Sequence, residues 1–178
     1  MRSLRSALVD SIVLPAPATP KALFDSLCTT LSERRARPVR WRAVVFPLRT
    51  VSGLWMGLED RDLIAVERNA DPLLQLMIFG HEVWHMEAGH CGGHGEGASI
   101  AARLLADEPG MGDVAAALRV SARTEFARDE EMDAEMFGLE LGTELRAWLA
   151  PVDGRSKDLG ELAGRIAASL SGRRRGSG

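Results

Sequence analysis

The chain has 178 residues, 46% hydrophobic and 26% charged, with a formal net charge of −3. That suits one globular domain with material for a real core. It excludes a general pull toward nucleic acid or an anionic membrane surface, and no run approaches the roughly 20 apolar residues of a membrane span.

At the N-terminus, Arg2 and Arg5 precede Ala7-Leu8-Val9, and Ala16-Pro17-Ala18 looks like a cleavage site. Asp10 interrupts the apolar run, and what remains is short for a signal peptide. Residues 1–19 therefore read as a loosely ordered arm. The two cysteines, Cys28 and Cys91, make no disulfide framework. A reducing, cytoplasmic setting is expected.

Thr19-Pro20 reads as a helix start, with Thr as N-cap and Pro in the first turn. Leu23, Phe24, Leu27 and Leu31 follow at helical spacing, so an amphipathic helix is expected from Pro20 to about Arg35. Cys28 falls on or beside its apolar face, as packing. Residues 39–46, VRWRAVVF, are β-branched and aromatic and read as a strand. Residues 53–59 and 62–67 read as two more, joined through Asp60-Arg61 as a hairpin. Asp71 and Pro72 then open the central helix.

That helix carries His81-Glu82-Val83-Trp84-His85 behind an apolar lead-in of Leu73, Leu74, Leu76, Met77, Ile78 and Phe79. Histidines four residues apart share one helix face, so both imidazoles can reach one metal ion. In such H-E-x-x-H helices the glutamate, here Glu82, serves as general base toward metal-bound water. A buried helix with these polar groups needs a partner for them, because unpaired polar groups in a core are costly.

Past Gly89 lies the loop HCGGHGEGAS, whose His90 and His94 complete the chain's four histidines. The extended H-E-x-x-H-x-x-G-x-x-H pattern wants Gly and His where Ala88 and Cys91 stand. His90 and Cys91 stay open as alternative third ligands. A short helix is expected at 98–106, a break at Pro109-Gly110, and helical residues from Asp113 almost to Trp148. Phe126, Ala134, Phe137, Leu141, Leu145 and Trp148 form its apolar stripe. Most of Asp129, Glu130, Glu131, Asp133 and Glu135 must be solvated. Glu131 borders the apolar face. It is either a rim carboxylate or the third ligand of a two-His, one-Glu zinc site with water in the fourth position.

These residues resemble the ImmA/IrrE family of zinc metallopeptidases. The resemblance covers roughly residues 20–149 and rests on His81-Glu82-Val83-Trp84-His85 followed by Glu131-Met132-Asp133-Ala134-Glu135-Met136-Phe137-Gly138, the family's E-x-x-A-x-x-F-A/G pattern. It implies an α+β fold, with a small twisted antiparallel sheet of about three strands packed on helices, as a zincin-like metallopeptidase domain. On that reading residues 1–19 are the arm, 20–150 the metallopeptidase domain, and 151–178 a C-terminal helix and basic tail. The resemblance puts Zn²⁺ on His81, His85 and Glu131, with Glu82 catalytic. It also implies a protein substrate, a helix-turn-helix regulator that is cleaved or inactivated, in some members as half of a toxin–antitoxin-like pair.

The chemistry that follows is peptide hydrolysis. Zinc polarises the scissile carbonyl and activates water, and Glu82 carries the proton to the leaving amine. The substrate strand is expected along an exposed sheet edge. The chain has no tyrosine, so oxyanion stabilisation would fall to zinc, a backbone N–H, His90, His94 or an arginine such as Arg123. The alternative function is a non-catalytic, zinc-stabilised protein-binding regulator, with His90, Cys91 or His94 closing the fourth position. Direct DNA binding is disfavoured by the mild acidity and the lack of a basic helix.

Overall fold

The computed structural model describes residues 1–46, 51–89 and 128–149. Expectations for the glycine loop, the helix at 98–106, the start of the long downstream helix and residues 150–178 lie outside those residues. The described elements are α1 (Arg2–Asp10), α2 (Pro20–Arg35), β1 (Val39–Val44), β2 (Gly53–Gly57), β3 (Asp62–Glu67), α3 (Pro72–Ala88), α4 (Arg128–Leu145) and a short 3₁₀ turn, Arg146–Trp148. The fold is α+β, a three-stranded sheet with helices against it.

Both expected helix starts form as read. The Thr19 hydroxyl accepts from the Ala22 N–H at 3.2 Å, and Pro20 opens α2. The Asp71 carboxylate accepts from the Leu74 N–H at 3.0 Å, and Pro72 opens α3. Each cap satisfies a helix N–H that has no partner within the helix, and Pro lacks the N–H that would otherwise be orphaned. α2 buries Leu23, Phe24, Leu27, Cys28 and Leu31. Phe24 stacks on Trp41 of β1 with ring centroids 4.6 Å apart and meets Phe79 of α3 edge-on at 5.1 Å.

The sheet order is β1-β3-β2. β2 and β3 form the expected antiparallel hairpin, pairing Trp55 with Ile64. β1 instead runs parallel to β3, with Trp41 opposite Ile64. The wholly antiparallel sheet is therefore corrected to a mixed one. Alternation along β1 tells which face each side chain takes. It carries no information on neighbour or direction, which the connection from β1 to the far edge decides. β3, in the middle, is buried from Asp62 to Val66. One face of the sheet (Val39, Trp41, Trp55, Ile64, Val66) joins the core under α2 and α3. The other holds a second cluster of Val44, Phe46, Leu54, Met56, Leu58, Leu63 and Ala65.

The N-terminal segment is not the loosely ordered arm expected. Arg2–Asp10 is helical, with Leu4 and Leu8 buried in the main core. The Arg5 guanidinium pairs with Glu140 and, at 2.8 Å, with Glu144 of α4. Ala18 N–H donates to the Trp148 carbonyl at 2.7 Å, and the Trp148 indole donates to the Leu14 carbonyl at 3.3 Å. Leu4 and Leu8 are one turn apart, so two buried leucines suffice to dock a nine-residue helix once α4 offers an apolar face. Among the described residues, no helix is long and apolar enough to cross a membrane.

α3 passes through the middle of the protein, burying Leu76, Met77, Ile78, Phe79, Gly80, Glu82, Val83, His85 and Met86. It crosses α4 at glycines. A Cβ on Gly138 would fall 2.4 Å from the Met77 carbonyl oxygen, and one on Gly80 would fall 2.9 Å from the Gly138 Cα. The two backbones therefore touch, closer than any larger residue permits. Of the expected apolar stripe, Ala134, Phe137, Leu141 and Leu145 are fully buried, Trp148 partly so, and Phe126 lies outside the described residues.

Candidate metal centre

The α3–α4 crossing sets the site. His81 follows Gly80 directly, and Glu131 lies two turns before Gly138 on α4. Close approach at the glycines thus brings a carboxylate from one helix onto the histidine face of the other. His81 Nε2 and His85 Nε2 are 3.0 Å apart. Glu131 Oε1 is 3.5 Å from His85 Nε2, and Glu131 Oε2 is 3.7 Å from His81 Nε2. His85 is fully buried, and the His81 and Glu131 side chains are 13% and 28% exposed.

These three residues form a group able to hold a metal ion, with one ligand atom from each lying within 4.8 Å of the others. A four-coordinate ion with nitrogen and oxygen ligands at about 2.0–2.2 Å separates its ligands by roughly 3.3–3.5 Å. The observed spacings bracket that value, so the donor set fits such an ion without rearranging a helix. Two imidazole nitrogens and a carboxylate suit a borderline divalent metal.

Glu82 is the neighbour of His81 but leaves the two-histidine face, as a residue one step along a helix must, by about 100°. It is 3% exposed, and its Oε2 accepts the Trp55 backbone N–H at 2.9 Å. The ladder explains why that N–H is available. Ser52 O accepts from Glu67 N and Leu58 N donates to Arg61 O, so the even-numbered residues of β2 bond to β3. Gly53, Trp55 and Gly57 turn their backbone groups to the outer edge. Trp55 is further tied by its indole, which donates to Asp62 Oδ1 at 3.1 Å. Asp62 itself is buried and accepts from Arg35 Nε at 3.0 Å.

No protein-family model, curated protein or solved structure matches the chain.

His81, His85 and Glu131, singled out from the sequence as metal ligands, come together in one cluster, and Glu82 stands beside them against β2. His90, Cys91, His94 and Arg123 lie outside the described residues. The sequence reading did not single out Gly53, Trp55, Gly80 or Gly138. For two of these a signal was present. Gly80 directly precedes the H-E-x-x-H run, and Gly138 closes the downstream motif; a glycine inside a helix costs about 1 kcal/mol against alanine and so marks a close approach. For Gly53 and Trp55 the role depends on α3 lying against β2, which no local pattern encodes.

Proposed function

We propose that the protein is a zinc-dependent metallopeptidase of the ImmA/IrrE type, acting in the cytoplasm on a partner protein. The observation that carries this is the convergence of His81, His85 and Glu131 from two helices, with Glu82 buried next to them and fixed by a backbone N–H. Two histidines and a carboxylate leave a fourth position for water, the ligand set of hydrolytic rather than purely structural zinc sites. Zinc, when bound there, supplies an activated water and polarises a carbonyl.

The remaining work falls to this chain's residues. His81, His85 and Glu131 hold the ion. Glu82 accepts a proton at its carboxylate and hands it to the departing amine. The outer edge of β2 at Gly57, which is exposed and beyond the Trp55 N–H that Glu82 takes, offers backbone groups to an extended peptide. The substrate class, a helix-turn-helix regulator, and a toxin–antitoxin-like pairing follow from the resemblance carried by the two motifs.

The test is co-expression with a candidate repressor, following the repressor's length on a gel. Wild type should shorten it, while Glu82→Gln should keep its metal and its fold and lose cleavage by at least about 10²-fold. Equal cleavage by both would reject Glu82 as the base. Regulation of the repressor that survives Glu82→Gln, with no cleavage by either version, would favour a zinc-stabilised binding protein instead.

A further inference from the structure

We propose that Gly53 is a positioning residue for Glu82, its missing side chain being what lets the carboxylate lodge against β2 and take the Trp55 N–H. This rests on the peptidase reading for its consequence and on geometry alone for its substance. Gly53 opens β2 and pairs with Val66 of β3, a position where glycine has no side chain to pack. Among the described residues Gly89 is the glycine with positive φ, so no special backbone conformation explains Gly53. A glycine paired in a sheet otherwise marks a close approach. Here the approaching group is identified. A Cβ on Gly53 would lie 2.8 Å from Glu82 Oε1, 3.1 Å from Glu82 Cγ and 2.5 Å from Ile78 Cγ2.

The strand cannot yield easily. Trp55 is held by Asp62, which is held in turn by Arg35, and β2 is paired to β3 along its length. Glu82 has the freer end, with three rotatable side-chain bonds. An added methyl would therefore push the carboxylate away from the Trp55 N–H while leaving His81, His85 and Glu131 where they are. Gly53 thus decides where the proton acceptor stands relative to the metal group, by the close approach it allows.

The experiment uses the full ¹⁵N-labelled, zinc-loaded chain. It compares wild type, Gly53→Ala, Ile78→Ala, and the double variant Gly53→Ala with Ile78→Ala. The double variant removes the Ile78 methyl from the collision, so the test stands even if Gly53→Ala alone does not fold. An amide proton bonded to a carboxylate resonates downfield and exchanges slowly. In both variants that include Gly53→Ala, the Trp55 amide should move upfield and exchange faster, with one zinc per chain retained. Ile78→Ala alone should leave it in place. On fluorescently labelled unfolded casein, kcat of the double variant should fall on the order of 10²-fold below that of Ile78→Ala, with KM unchanged, as expected for a reacting group displaced by about 1 Å. A Trp55 amide identical in the double variant and in Ile78→Ala would overturn the proposal. So would a shifted amide with kcat intact. If wild type cleaves neither casein nor the repressor, the peptidase reading fails, and the amide signal still decides whether Gly53 holds Glu82 in place.

Discussion

Gly80 and Gly138 face each other where α3 crosses α4, so close that a Cβ on Gly80 would lie 2.9 Å from the Gly138 Cα. That contact joins the helix bearing two candidate ligands to the helix bearing the third. Gly138→Ala should therefore act on stability and metal together. Its Cβ would meet the Met77 carbonyl oxygen at 2.4 Å, a backbone atom that cannot rotate away. Overpacking of this kind costs about 1–3 kcal/mol, occasionally more. Gly142→Ala, whose nearest collision is the Met77 side chain at 2.7 Å, should cost less. Urea unfolding with zinc titration on both variants checks the order; equal effects would reject the crossing as the element that sets the site.

Glu131→Gln should lose metal. The amide keeps the size of the carboxylate and removes its charge, leaving two histidines on α3. Zinc affinity should drop by more than the roughly 10–100-fold that follows loss of a group hydrogen-bonded to a ligand. Glu135→Gln, one turn further along α4, should bind zinc as wild type does. Competition with a chromophoric chelator measures both, and unchanged affinity in Glu131→Gln would remove it from the ligand set.

Deleting residues 1–11 should lower Tm. The deletion exposes apolar surface that Leu4 and Leu8 bury and removes the Arg5 pairs with Glu140 and Glu144. The leucines contribute about 1.5–3 kcal/mol each, while the half-exposed ion pairs add little. A loss of roughly 3 kcal/mol corresponds to about 6–12 °C for a protein of this size. Calorimetry on the truncated chain decides it, and a Tm within a degree of wild type would show that α1 is dispensable.

Cys28 should be inert in the folded protein. Burial pushes its thiol up to about 12, with the neighbouring Asp25 charge adding to the effect and Arg40 opposing it. The thiolate is the reactive form, and its fraction stays negligible through pH 9. Iodoacetamide at pH 8 should leave Cys28 unmodified in native protein and modify it in urea, as read by peptide mass mapping, which separates it from Cys91. Native labelling of Cys28 would show that α2 opens.

Much of this is legible in the sequence alone. Thr19-Pro20 and Asp71-Pro72 announce helices whose starts are decided within three or four residues, and both form where read. The β2–β3 hairpin is also local. His81, His85 and Glu131 can be paired because two helical motifs each carry their own spacing. What escapes depends on distant chain. β1 pairs with β3, in parallel, and not with its chain neighbour β2, and a strand's own alternation is blind to that. α1 reads as part of a loose arm, since its leucines gain nothing until α4 is there to cover them. Gly53 is an unremarked glycine until Glu82 is laid across it.

Arg5 and its partner Glu140 are 135 positions apart in the chain. At a synthesis rate of about 5–20 residues per second, α1 leaves the ribosome roughly 7–27 s before the helix it docks on. For that interval Leu4 and Leu8 have no α4 to cover them, a window in which a chaperone would find two leucines one turn apart with Arg5 between them. The metal group waits less, because Glu131 follows His85 by 46 positions, roughly 2–9 s at the same rate. Of the three candidate ligands, His81 and His85 emerge first, and the group is complete only when Glu131 arrives. Docking of the first helix and completion of the His81, His85 and Glu131 group thus both wait on one late event, the arrival of α4.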